Sequence, residues 1–503
     1  MLARHSSSAR SSSYDDELAR RRSAWCKLFD ATALPTVLYI SSKLPAGRFA
    51  NEEISPDQLK KDKKYGRTVA QKAAEPTLPP PITPSVHSVD ISCFRRDGKI
   101  LRGSPFSEDF ILQLYQRILA MRVSRSRRLM AIALTAFAAV PSYGHAEDRL
   151  LTEAVQFNGT ILYLSTEVPG LIFGAVRNGE TALAGFGKIA DGSEKVPDGD
   201  TMFRIASVSK VFCGSALSSL AIDGKVKLTD RLQDRLGWDV TLPEKDGRAL
   251  RLIDLVAQAS GLPREVPVAE APPSDPFSTN TKEAQIAALK DNPLLFAPGT
   301  AVLYSNFGYD LLGAALANVS GKPYAEVLRE RVLDPLGMKD TVFNPRPEDE
   351  LRLMQGHNFD GSPLPIVPTS TAMECAGGLY LTADDLLRWM NWHVDNKPSA
   401  ADAELRLLNH AAFLYRDGLA SVVGLDDGGP MDAMGLGWVI MLPNEHRPLI
   451  LQKSGGLQGM FLYVAIAPTR GVGAFFVMNQ FNAAGFMAGV KTTNDLVAEI
   501  APR

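Results

Sequence analysis

Ser207 and Lys210, set three apart in Ser207-Val208-Ser209-Lys210, have the types and spacing for nucleophilic chemistry. The pair follows an expected strand at 202–205 and opens an expected helix that starts near Ser207 and stops at Gly224. Residues three apart share one helix face, so the Lys210 amine can reach the Ser207 hydroxyl. A serine hydroxyl is a weak nucleophile until a nearby base takes its proton. A lysine removed from water, beside other cations, holds its own proton loosely enough to serve. The helix N-terminus adds free N–H groups and positive potential for a developing oxyanion. Alone the motif says little, because many helices contain S-x-x-K by chance.

Two further segments fit the same chemistry. Tyr304-Ser305-Asn306 stands just before an expected helix at 308–319. A tyrosine hydroxyl between two lysines can relay a proton between nucleophile and leaving group. An asparagine amide can both donate to and accept from a substrate amide. Read in isolation, this segment is a turn and a helix cap. Lys453-Ser454-Gly455-Gly456 falls between two expected strands, 449–452 and 460–467. Its lysine and hydroxyl can bind a carboxylate, and its glycines let a ligand approach the strand backbone. Read in isolation, it is a glycine bulge or hairpin turn. In order and together, the three form the acyl-serine signature of penicillin-binding proteins and β-lactamases.

The elements that must position these residues are legible from 147 onward. Runs at 171–176 and 181–187 are joined through Asn178-Gly179, a hairpin signal. A mainly helical middle follows, about 225–430, with further helices expected at 308–319 and 324–332. Strands are expected at 437–442, 449–452, 460–467 and 473–479, then a last helix at 483–500. Strands at both ends with helices between imply an α/β (α+β) fold. Its antiparallel sheet is built from both chain ends and flanked by helices, with a mainly helical lobe against it. The site would lie in the cleft between the two.

The chain has 503 residues and a net charge of −2, which gives no electrostatic reason to expect nucleic acid as a partner. Its four cysteines lack C-x-x-C spacing, so neither a metal nor a redox motif is indicated. Cys213 and Cys375 read as buried free thiols, with a disulfide as the alternative in an oxidising compartment. From Met121, four arginines precede an apolar run at 129–140 and a small-residue exit ending at Ala146. This is the layout of a secretory signal peptide at 121–146, and the run is shorter than the roughly 20 residues a membrane span needs. Residues 1–120 carry serine-rich and proline-rich stretches without sustained periodicity, and read as a disordered extension or as an over-extended reading frame. The expected location is the periplasm, with no transmembrane span in the mature chain.

At Phe203-Arg-Ile-Ala-Ser-Val-Ser-Lys210, Ser260-Gly-Leu-Pro-Arg-Glu265, Tyr304-Ser-Asn306, Gly321-Lys-Pro-Tyr324, Pro335-Leu-Gly-Met-Lys-Asp340, Gly435-Leu-Gly-Trp438 and Lys453-Ser-Gly-Gly456 the chain resembles the class C β-lactamase and penicillin-binding protein superfamily. The likeness covers nearly all of 147–500 and none of 1–120. Within the superfamily it resembles the periplasmic D-alanyl-D-alanine carboxypeptidases/endopeptidases. The resemblance implies that Ser207 is acylated and that Lys210 and Tyr304 share acid–base duty. It implies that Asn306 holds the substrate amide and that Lys453 and Ser454 bind a terminal carboxylate. The backbone N–H groups of Ser207 and Gly456 would form the oxyanion hole beside Gly455. Peptidoglycan peptides and β-lactams are the implied ligands, without cofactor or metal. Two departures stand out: Ser454 replaces the usual threonine, and Gln258-Ala259 replaces the common His-Thr. A β-lactamase, an esterase lacking the carboxylate preference, and a non-catalytic wall-peptide binder remain the alternatives. A histidine triad built on His357, His393, His410 or His446 finds no Gly-x-Ser-x-Gly elbow to support it.

Overall fold

The computed structural model describes residues 148–502 apart from residue 292; the expected extension (1–120) and leader (121–146) lie outside them. At its centre is an eight-stranded sheet. Its strands are β1 (Gly170–Arg177), β2 (Glu180–Gly187), β3 (Leu414–Tyr415), β4 (Ala433–Met434), β5 (Val439–Met441), β6 (Ile450–Leu457), β7 (Met460–Ala467) and β8 (Val472–Met478). Their spatial order is β2-β1-β8-β7-β6-β5-β4-β3, with every neighbouring pair antiparallel. β1, from the start of the domain, pairs with β8, from its end, so that Phe173 stands opposite Phe476. The sheet is therefore assembled from both chain ends, as the sequence implies.

Local chemistry accounts for the pieces. Asn178 and Gly179 join β1 to β2 with φ of 53° and 94°. A two-residue turn that matches strand twist needs positive φ at both positions, which asparagine and glycine tolerate. Alternate side chains of β1, β7 and β8 point to opposite faces. Leu171, Phe173, Tyr463, Ala465 and Phe476 enter one core cluster. Ile172, Leu462, Val464, Phe475 and Val477 enter another.

Helices pack on these faces or build the core beyond them: α1 (Arg149–Thr166), α2 (Ser209–Ile222), α3 (Asn306–Ser320), α4 (Ala383–Val394) and α5 (Ala483–Ile500). α1 and α5 cover the first face, supplying Leu151, Val155, Leu162, Val490, Leu496 and Val497. α2, α3 and α4 build the second core with Val211, Phe212, Leu217, Leu311, Leu312 and Trp389. Phe212, Trp389 and Trp438 stack in series there, at centroid distances of 4.6 and 5.6 Å.

Three expectations need correction. The helix after Ser207 begins at Ser209, and Ser207 itself lies in a tight turn, Ala206–Val208. The Lys453–Gly456 segment is not a connection between strands; β6 runs straight through it to Leu457. Cys213 and Cys375 are not free thiols but a disulfide, with Cα atoms 5.5 Å apart, a separation a disulfide spans without backbone movement. They meet because α2 packs against the short helix Glu374–Gly377, a contact invisible in sequence. The bridge closes a loop with a sequence separation of 162, which restricts the unfolded chain strongly. Replacing both cysteines with alanine is expected to lower unfolding stability by about 2–5 kcal/mol. The shift in urea midpoint of the oxidised protein measures this; an unmoved midpoint would count against a bridge in solution.

Candidate active site

Ala206, directly before Ser207, has φ of 46°. Non-glycine residues hold that conformation only where the surroundings enforce it. The kink redirects the chain from the strand Met202–Arg204 into α2 and puts Ser207 on the wall of two cavities. β6 passes very close by. A Cβ on Gly455 would lie 2.5 Å from the Ile205 carbonyl oxygen, so only glycine permits this approach. β5 pairs with β6 no further than Gln452, and from Lys453 onward β6 borders the cavity instead.

Lys210, one turn into the helix, is fully buried. Its Nζ donates to Asn306 Oδ1 at 2.6 Å, to the Ala376 carbonyl at 2.5 Å and to Ser207 Oγ at 3.4 Å. Burial pushes its pKa down to about 7, against the opposing pull of Asp310 and Glu265. Tyr304 Oη donates to Ser207 Oγ at 2.5 Å. The Tyr304 ring has cations on three sides: Lys210 Nζ at 4.9 Å, Lys453 Nζ at 5.0 Å and the Arg264 guanidinium at 4.8 Å from its centroid. Burial also lowers the pKa of Lys453.

Ser207, Tyr304, Lys453, Ser454, Gly455 and Gly456 line one cavity of about 340 Å³. Asn306 lines a second, of about 270 Å³, which shares Ser207, Arg264 and Gly456 with the first. Every site residue expected from sequence thus borders one of them, or bonds directly to a group that does. Ser207 and Gly456, the residues of the implied oxyanion hole, border both. The histidines stand apart: His357 Nδ1 is 2.8 Å from the Asn479 carbonyl, and His393 Nδ1 is 2.8 Å from His410 Nε2. None lines either cavity. Among the described residues no cluster of His, Cys, Asp or Glu could hold a metal, and no helix is long and apolar enough to cross a membrane.

Two contributors were given no role from the sequence. Glu265 Oε1 accepts from Asn306 Nδ2 at 2.6 Å. This leaves the amide oxygen of Asn306 for Lys210, so the two contacts fix one amide orientation between them. Gln258, the unexplained departure, is buried with φ of 60°. Its Oε1 accepts from the Ser305 N–H at 2.6 Å, and its carbonyl accepts from Leu303 N–H at 2.9 Å. Gln258 therefore clamps the backbone on both sides of Tyr304. Gln258→Ala would leave the Ser305 N–H without that partner and loosen the tyrosine. Misplacement of such a group by about 1 Å costs on the order of 10²-fold in rate. A fall of about 10- to 100-fold in Ser207 acylation rate by a fluorescent penicillin, with affinity little changed, is expected; an unchanged rate would remove Gln258 from the site.

Comparison with known proteins gives the same picture. The family described as Beta-lactamase matches residues 148–499. The D-alanyl-D-alanine-carboxypeptidase/endopeptidase AmpH of Escherichia coli K12 is 33% identical over 359 residues, 71% of this chain and 91% of that protein. Among solved structures, a β-lactamase/D-alanine carboxypeptidase from Yersinia pestis complexed with citrate superposes with a TM-score of 0.64 at 33% identity, covering 70% of this chain and 98% of the other. One from Pseudomonas syringae shares the fold at 19% identity, with a TM-score of 0.59 over 70% of this chain and 100% of the other. With the family match running from α1 to the end of α5, the chain belongs to the β-lactamase family and is a serine hydrolase of that family.

Proposed function

We propose that the protein is a periplasmic D-alanyl-D-alanine carboxypeptidase/endopeptidase that acts on peptidoglycan peptides and is acylated by penicillins. One observation carries the substrate class: a buried lysine, Lys453, and the Ser454 hydroxyl share a cavity with Ser207. A cation and hydroxyl beside a nucleophile suit a substrate ending in carboxylate. Esters without a carboxylate would leave Lys453 buried and unanswered, which is costly.

In this reading the terminal D-alanine carboxylate sits on Lys453 and Ser454, and its peptide carbonyl lies over Ser207. Ser207 Oγ attacks the carbonyl carbon while its proton passes to Lys210, directly or through Tyr304. The oxyanion faces the Ser207 and Gly456 N–H groups. Collapse breaks the C–N bond, and Tyr304 supplies the proton that the departing amine takes up. Lys210 then returns its proton to Tyr304; water attacks the acyl-serine ester and gives a proton to Lys210, and the ester C–O bond breaks as that proton is handed through Tyr304 to Ser207 Oγ, which regenerates Ser207. Export through the segment 121–146 would bring the enzyme to its substrate and to a compartment where the Cys213–Cys375 bridge persists.

Purified muropeptides test the reading. Release of free D-alanine, or splitting of crosslinked dimers, is the expected result. A protein that turns over penicillin rapidly and leaves both peptides intact would be a β-lactamase instead, and one that cleaves only carboxylate-free esters would be an esterase.

A further inference from the structure

Ala376 meets the amine of Lys210 from a segment that cannot hold itself in place. Its carbonyl accepts from Lys210 Nζ at 2.5 Å, and it belongs to a helix of four residues, Glu374–Gly377. A single turn is well below the roughly 12 residues at which a helix stands alone in water. The chain is tied down after this turn, where the Leu379 N–H donates to Ser209 Oγ at 3.2 Å and Thr369 Oγ1 donates to the Gly378 carbonyl at 3.0 Å. It is tied down before it by Ser370, which caps Thr371–Met373. Between these ties the covalent hold is Cys375, directly before Ala376 and bridged to Cys213.

Cys213 lies three residues beyond Lys210 on α2, on the same helix face. The bridge therefore closes a small ring. It runs one helical turn from Lys210 to Cys213, through the disulfide, one peptide step to Ala376, and back by hydrogen bond to Lys210 Nζ. Ala376, the most accessible of the four residues, is 4% exposed. On the far side α3 leaves no slack: a Cβ on Gly313 would stand 2.9 Å from Cys375 Cβ. The position matters because an ammonium has three donors, and protein answers all of them, through Ala376, Asn306 and Ser207. Were the Ala376 carbonyl to withdraw, a buried donor would need a new partner. Ala376 and Gly377 border the second cavity, so water can supply it. Hydration favours the charged form that burial disfavours.

We propose that the Cys213–Cys375 bridge is a positioning device for catalysis: it clamps the Ala376 carbonyl on Lys210 Nζ and so keeps water from the base. The assignment rests on the reading above in which Lys210 takes the serine proton. The charged and titratable groups facing Lys210 are Asp310, Glu265, Arg264, Tyr304, Tyr309 and Lys453. Glu374, on the bridged turn itself, is raised by burial to about 7.

The readout is the first-order rate of Ser207 acylation at saturating fluorescent penicillin, followed across pH; hydrolysis of an activated ester serves if no adduct forms. A bridge that only stabilises the fold would lower the urea midpoint and leave this profile in place. In Cys213→Ala/Cys375→Ala the acid limb should move up by about one pH unit, a loss of about tenfold at pH 6 that closes to within about twofold at pH 9. Gly313→Ala keeps the bridge but pushes on Cys375, and should move the limb the same way. Glu374→Gln should leave the limb where it is, which assigns it to Lys210 and not to the neighbouring carboxyl. An unmoved limb in the folded double variant overturns the proposal; if that variant does not fold, an unmoved limb in Gly313→Ala does so. Loss of the limb in Glu374→Gln overturns it as well. A flat profile in the unaltered protein defeats the base reading and the clamp together, whereas a limb present there and unmoved in the variants defeats the clamp alone.

Discussion

Ser207→Ala is expected to abolish covalent labelling by a fluorescent penicillin and to lower hydrolysis by about 10⁴-fold or more. The size of the effect follows from the geometry. Ser207 Oγ is the one atom that receives both the Tyr304 hydroxyl, at 2.5 Å, and the Lys210 amine, at 3.4 Å. It also sits where the two cavities meet. Ser209, the other hydroxyl nearby, cannot take over. It is buried, and its Oγ donates to the Ala206 carbonyl at 2.7 Å and accepts from the Leu379 N–H at 3.2 Å. Alanine at 207 removes a single oxygen from a cavity wall, so the fold should persist, which circular dichroism can check. Intact-mass analysis gives the readout: an adduct in the unaltered protein and none in the variant. An adduct that survives the substitution would put the nucleophile elsewhere.

The parts of the site that sequence revealed are those whose chemistry is local. S-x-x-K needs only one helical turn, so Ser207 and Lys210 could be paired before any fold was known. The Asn178-Gly179 turn and the alternation of β7 and β8 are likewise written in neighbouring residues. The turn at Ala206–Val208 was missed because its strain is enforced from outside. β6, at Gly455, presses on Ile205 from the far end of the chain. The extent of β6 was misjudged because glycines usually end strands, whereas here Gly455 lets the strand approach the nucleophile segment. α1 was not anticipated at all. Its outer face exposes Phe157, Ile161 and Leu164, and these blur the apolar stripe by which a surface helix is recognised. The Cys213–Cys375 bridge and the Gln258 clamp depend on contacts between distant segments. No spacing rule encodes them.

Lys210→Ala is expected to lower acylation on the order of 10³-fold, and the pH dependence of the unaltered protein shows why. An amine acts as a base only when it has lost its proton. In water, with its ordinary pKa, a lysine is unprotonated at pH 7 in roughly one molecule in 3,000. Burial brings Lys210 to about 7, so that about half the molecules hold a usable base at that pH. The gain in available base is therefore of the same order as the loss expected on removing it. Folding against water, rather than any special bond, makes the amine reactive. The acid limb follows directly. Acylation should rise about tenfold per pH unit below 7 and level off above it. The alkaline limb has a different owner. Lys453 must stay protonated to hold a carboxylate, and burial has lowered its pKa from the usual lysine range. Its deprotonation should weaken substrate binding, so KM rises at high pH while kcat holds. A kcat/KM profile with both limbs, beside a kcat profile with the acid limb alone, is the expected pair. An acylation rate that is flat from pH 5.5 to 8 would mean that Lys210 does not change charge in that range, and would overturn its role as the base whose titration limits acylation.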